Sequence, residues 1–163
     1  MSQSEEQYLE ETKRAFEDVL PVYVSLKVSI GGEAEDVTDV LLRGDKVCLT
    51  APFGSGKTTV LRHLAAFLAE SRDPRPPIFV PMRNARGDLS GMPARTLLGE
   101  CGSPVPPKEL LDHLEDGGSA FILLDGLDEM PPATLTQFPM ACMRWEKEYK
   151  GVKSPFDSSL HPC

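Results

Sequence analysis

The sequence predicts an α/β fold built on a parallel sheet. Two observations carry that prediction. A β-type run at 46–50 passes through a glycine loop into a helical stripe of apolar residues, and further apolar runs at 78–82 and 120–124 alternate with helical segments. The size agrees: 163 residues make one domain with room for a core, and 40% hydrophobic with 26% charged residues is the composition of a folded chain.

In chain order, Tyr8, Leu9, Thr12, Phe16, Val19 and Leu20 fall on one helical face. With Ser4 available as N-cap they predict an amphipathic helix over 5–18, ended by Pro21. From Val22 the period becomes two. Val22, Val24, Leu26, Val28 and Ile30 alternate with polar or aromatic neighbours, predicting a strand with one buried face that Gly31-Gly32 closes. A short acidic helix over about 33–42 then leads through Gly44-Asp45 to the run at 46–50. After the glycine loop, Val60, Leu61, Leu64, Phe67 and Leu68 form one helical stripe.

A proline-rich link at 73–77 opens the strand 78–82, where Pro81 cannot donate a ladder hydrogen bond and so predicts an edge position. Pro106-Pro107 starts a helix carrying Leu110, Leu111 and Leu114, and Gly117-Gly118 stops it. The unbroken apolar run 120–124 predicts a strand buried on both faces. Beyond Pro131-Pro132, residues 133–149 read as helical but interrupted by Pro139, and 151–163 has no periodicity. The organisation expected is an N-terminal helix, strand and linker over 1–45, an α/β domain over 46–150, and an irregular tail over 151–163.

Charge excludes some partners. With 25 acidic against 17 basic residues, a net charge of -8 and no basic stripe, no affinity for nucleic acid is expected. The N-terminus is polar, and no stretch approaches the roughly 20 apolar residues of a membrane span, so no membrane association and a cytoplasmic location are expected. Cys48, Cys101, Cys142 and Cys163 form no CxxC pair, which predicts reduced, structural cysteines. His63 and His113 have no nucleophile nearby and are expected to be solvated, whereas Phe138 and Trp145 are expected to pack the last helix.

The most informative segment is Ala51, Pro52, Phe53, Gly54, Ser55, Gly56, Lys57 and Thr58, followed by Thr59. It fits the phosphate-loop pattern G-x-x-x-x-G-K-[ST] with Ala51 in place of the first glycine. Gly54 and Gly56 allow backbone N–H groups to turn toward an anion, and the helix that follows adds the positive end of its dipole. Lys57 would reach the β- and γ-phosphates, and the Thr58 hydroxyl would ligate Mg²⁺. The competing structural reading is a glycine turn whose Lys and Thr are merely exposed.

Asp125 ends the apolar run Phe121-Ile122-Leu123-Leu124, at the strand end where ligands of open α/β sheets bind. A buried carboxylate there calls for a balancing cation, and the Mg²⁺ held by Thr58 is the natural one. Asp128 and Glu129 follow and are candidates to orient or deprotonate a water, Asp128 preferred. As the alternative, these two acids cap the helix that begins after Pro131-Pro132.

Together, APFGSGKTTVLRHLAAFLA and FILLDGLDE resemble the NACHT family of signal-transduction ATPases, within the STAND class of P-loop NTPases. The Asp-Gly-Leu-Asp-Glu run is the specific part; IFVPMR at 78–83 and VYVSL at 22–26 resemble further stretches of that family. The resemblance implies a P-loop NTPase-like three-layer α/β/α fold with strand order 5-1-4-3-2, and an ATP- and Mg²⁺-dependent switch that oligomerises with itself or other NACHT proteins. It makes Lys57 the phosphate lysine, Thr58 and Asp125 the metal residues, and Asp128 with Glu129 the acids near the water. A fourth core strand should follow position 150, but 151–163 is short, polar and broken by Pro155, so the chain resembles a truncated member. Hydrolysis is thereby less secured than binding. The alternative is an inactive nucleotide-binding fragment that associates with full-length relatives. No Asn-Lys-x-Asp guanine signature is present, which favours ATP over GTP, and 83–119 has no arginine-rich lid of the kind a small-molecule kinase needs.

Overall fold

The computed structural model describes residues 2–19, 23, 26–44, 47, 49 and 51–149. Expectations for Pro21, for residues 22, 24 and 25 of the first strand, for 46, 48 and 50 of the run before the glycine loop, for Cys48 and Cys163, and for the 151–163 tail lie outside these residues.

Helix α1 is Gln3–Phe16. It starts ahead of the predicted Ser4 cap because Ser2 and Glu5 form a reciprocal capping box: the Ser2 hydroxyl accepts from Glu5 N, and the Glu5 carboxylate accepts from Ser2 N. Strand β1, Lys27–Ile30, pairs antiparallel with β2, Glu33–Asp36, placing Ile30 opposite Glu33. This corrects the helix expected over 33–42. Gly31 and Gly32 have φ of 60° and 92°, the left-handed pair that a two-residue hairpin turn requires, so the chain folds back on itself. Asp36 then caps α2, Val37–Arg43, accepting from Thr38 N at 2.8 Å.

Helix α3, Lys57–Ser71, packs along α1, and Lys13 pairs with Glu70 at 3.0 Å across that contact. Strand β3, Pro77–Pro81, runs parallel to β4, Phe121–Asp125, in register from Pro77 opposite Phe121 to Pro81 opposite Asp125. Among the described residues the outer edge of β3 is closed by single groups, without a third strand. Phe79 O accepts from Ser103 N at 2.8 Å and Pro77 O from the buried Tyr8 hydroxyl at 2.9 Å. Pro77 and Pro81 alternate with Phe79 and so share this edge, where a missing N–H removes nothing from the ladder to β4.

The two faces of this sheet feed separate cores. Ile78 and Val80 join Leu97, Leu110, Leu114 and Phe138, whereas Phe79 and Leu123 join Phe16, Val60, Leu64 and Leu68. The molecule is therefore α/β with helices and a small parallel sheet. Strand β4 is less covered than its apolar run predicts. Leu123 and Asp125 are buried, but Phe121, Ile122 and Leu124 are half-buried, since β4 has one strand neighbour among the described residues. The Arg75 guanidinium lies 4.3 Å over the Phe121 ring.

Helix α4, Ala94–Cys101, was not among the predicted elements, and α5, Lys108–Glu115, follows the two prolines as expected. The segment 133–149 splits into α6, Pro132–Leu135, and α7, Phe138–Glu148, with Pro139 in the first turn of α7, where a missing N–H costs nothing. Phe138 and Trp145 pack edge to face at 6.1 Å, and Trp145 Nε1 donates to Met92 O at 2.8 Å. Cys101 and Cys142 are buried. Among the described residues no helix is long and apolar enough to cross a membrane.

Candidate functional site

The glycine loop enters α3 through Gly56, whose φ of 90° is left-handed and which offers no side chain to cap the helix. Val60 N donates to Gly56 O at 2.9 Å, so the N–H groups of Lys57, Thr58 and Thr59 belong to the first turn and have no intrahelical acceptor. Such an uncapped start attracts an anion through both its free donors and its dipole. A turn bond from Ser55 N to Pro52 O, 3.2 Å, shapes the loop, and Phe53 stands 95% exposed at its tip.

The Lys57 ammonium lies across this loop. Nζ donates to Ala51 O at 2.8 Å and Pro52 O at 3.3 Å, and sits 3.5 Å from Asp128 Oδ2. On the strand side, Asp125 is 6% exposed and its Oδ1 accepts from the Thr58 hydroxyl at 2.9 Å. After Asp125 the chain passes through left-handed Gly126 into a 3₁₀ turn, Leu127–Glu129, which leaves Asp128 and Glu129 exposed. Neither acid caps α6, because its N-cap is Pro131 without any side-chain bond.

The structure thus brings Lys57, Thr58, Asp125 and Asp128 together at the C-terminal end of β4. Glu129 lies on the same turn, and Thr59 is exposed on the first turn of α3. Among the described residues no three His, Cys, Asp or Glu side chains cluster to hold a metal by themselves. The hydroxyl and carboxylate of Thr58 and Asp125 do fit Mg²⁺, a hard cation that takes one or two protein oxygens and completes its shell with phosphates and water. The free amides and the ammonium beside them fit the phosphates.

Sequence reasoning missed one wall of the site. A cavity of about 470 Å³ lies beside the loop, bounded by Ala51, Ser55 and Lys57 on one side and by Leu26, Val28 and Val37 on the other. That volume is in the range of small-molecule sites. Its hairpin wall carries no motif that could have announced it. His63, expected to be solvated, is instead half-buried and stacked on Tyr23 with ring centroids 3.6 Å apart. His113 is exposed, as expected.

Comparison with protein-family models, with curated proteins and with solved structures finds no match for this chain.

Proposed function

We propose that the chain is a P-loop NTPase-like, NACHT-type module that binds ATP with Mg²⁺ and acts as a nucleotide-dependent switch, with slow hydrolysis as its accompanying reaction. The observation that carries this reading is the 2.9 Å contact between Thr58 and Asp125 directly below an uncapped helix start. Residues from two separate stretches of chain meet there as a hard-oxygen pair, next to the Lys57 ammonium and the helix-start amides that would meet a triphosphate.

In this reading the amides of 57–59 and the Lys57 ammonium hold the β- and γ-phosphates, within the loop formed by Ala51, Pro52, Phe53, Gly54, Ser55 and Gly56. The lysine stem is flexible and its ammonium carries three donors, so phosphate oxygens can replace the carbonyls of Ala51 and Pro52. Thr58 and Asp125 hold Mg²⁺, which when bound neutralises charge on the transferring phosphoryl group. Asp128 and Glu129 are exposed to solvent at the same strand end, and either would orient a water and accept its proton. The adjoining cavity offers room for the nucleoside.

Titration of Mg²⁺-ATP against wild type and Lys57→Ala tests the reading. Wild type should bind and the variant should lose most of that affinity; equal affinities would end the assignment.

One observation favours a second reading, a binding fragment without catalysis that associates with full-length relatives. Among the described residues β4 pairs with β3 and with no other strand, and a strand edge without a partner would accept another chain. Phosphate release separates the two: a wild-type rate no higher than that of Asp125→Asn removes the enzyme and leaves the fragment.

A further inference from the structure

Strands β3 and β4 end level with each other, Pro81 opposite Asp125, and each leads into a 3₁₀ turn, β4 through Gly126. These turns, Met82–Asn84 and Leu127–Glu129, pack together. Met82 is fully buried and its carbonyl accepts from Ala85 N at 3.0 Å, which anchors the first turn and leaves the next side chain, Arg83, exposed. Arg43, Arg75, Arg95 and Arg144 all hold carboxylates, whereas among the described residues Arg83, like Arg14, Arg62, Arg72 and Arg86, has no ion pair.

The charge around it is unbalanced. Asp125, Asp128 and Glu129 lie at the strand ends, and among the described residues Lys57 is their cationic partner, through Asp128. A triphosphate would add further negative charge at the same place. Lys57 reaches Asp128, and Arg83 lies on the turn packed against the one that carries Asp128. A nucleotide held by the loop as proposed above would bring its terminal phosphate to these strand ends.

We infer that Arg83 is a specificity-determining residue that grips the terminal phosphate and so distinguishes a nucleoside triphosphate from a diphosphate. The inference rests on the nucleotide reading above. The chemistry suits it: a guanidinium is always charged and presents a planar fork of donors that matches two phosphate oxygens at once. A lysine there would keep the charge and lose the fork.

The test is calorimetric titration of Mg²⁺-ATP and Mg²⁺-ADP against wild type, Arg83→Ala and Arg83→Lys. Arg83→Ala should lose about tenfold in ATP affinity, the scale of one hydrogen bond to a charged group, while ADP affinity stays unchanged; Arg83→Lys should fall between. An ATP affinity equal to wild type, or equal losses for ATP and ADP, would overturn the assignment. Should the alanine variant fail to fold, the ATP-to-ADP ratio of Arg83→Lys decides alone. Wild type binding neither nucleotide would remove the nucleotide reading itself, and Arg83 with it. Binding of both by wild type and neither by Lys57→Ala keeps that reading and leaves Arg83 to the ratio.

Discussion

The Thr58 hydroxyl donates to Oδ1 of Asp125 at 2.9 Å, joining the first turn of α3 to the last residue of β4 across 67 positions of sequence. Asp125 is buried, so this bond does structural work as well as assembling an oxygen pair. Removing the donor leaves a buried carboxylate unsatisfied, which costs about 1–3 kcal/mol. Thr58→Ala should therefore unfold at lower urea concentration than wild type. Asp125→Asn keeps shape and one acceptor but removes the charge, so the gain in ATP affinity that Mg²⁺ confers on wild type should vanish in this variant. Titrations with and without Mg²⁺ decide; an undiminished Mg²⁺ effect in Asp125→Asn would remove the aspartate from the metal site.

Tyr8 closes the far edge of the same sheet. Its buried hydroxyl donates to Pro77 O at 2.9 Å, and burial pushes its pKa far above the ordinary tyrosine value. Tyr8→Phe preserves the ring and deletes the donor, leaving an edge carbonyl without a partner, at a cost of about 1–2 kcal/mol. Chemical denaturation should register that loss. An unchanged midpoint would mean that water reaches Pro77 O and satisfies it.

Gly56 combines a left-handed φ of 90° with free space: an added Cβ would meet Leu26 Cδ1 at 3.7 Å, an ordinary contact. The cost of Gly56→Ala is therefore backbone strain, about 1–2 kcal/mol for an L-residue in this region. The melting temperature should fall. Nucleotide affinity should fall too, because the strain is relieved by rotating the amides at the start of α3 away from their common direction. A variant that melts like wild type would show that the loop relaxes into another turn at no cost.

Local signals carried the fold as far as local physics determined it. The 3.6 period placed α3 and α5, and Pro81 marked β3 as an edge, because helix faces and missing donors are properties of neighbouring residues. The acidic segment 33–36 resisted such reading. Gly31-Gly32 can end a strand or reverse it, and only the pairing of Ile30 with Glu33 decides between them. Helix α4 was legible and overlooked: Ala94, Leu97, Leu98 and Cys101 repeat at helical spacing and are all buried. The incomplete cover of β4 depends on how many strands flank it, which no window of sequence contains. At the site, the residue types of 51–58 and 125–129 could be read, but the approach of Lys57 to Asp128 and the hairpin wall of the cavity are products of tertiary packing.

His63 supplies a pH prediction that separates packing from solvation. Its ring lies 3.6 Å from that of Tyr23 at an interplanar angle of 7°, with Phe67 beyond it at 6.5 Å. Burial lowers its pKa below the ordinary 6.5, while the Asp36 carboxylate pulls the other way. Nδ1 is buried and has no hydrogen-bond partner among the described residues, so the folded state favours the neutral ring. The unfolded chain then binds the proton more readily, and stability rises with pH across the window between the two values. The contribution is complete above 6.5, the unfolded value, and is lost as pH falls from there through the lower folded value. His63→Phe retains the stack and cannot titrate, so its stability should fall less than that of wild type between about pH 7 and pH 5, the span over which a histidine charges. Urea midpoints at several pH values measure the difference; parallel curves for the two proteins would place the wild-type ring in water.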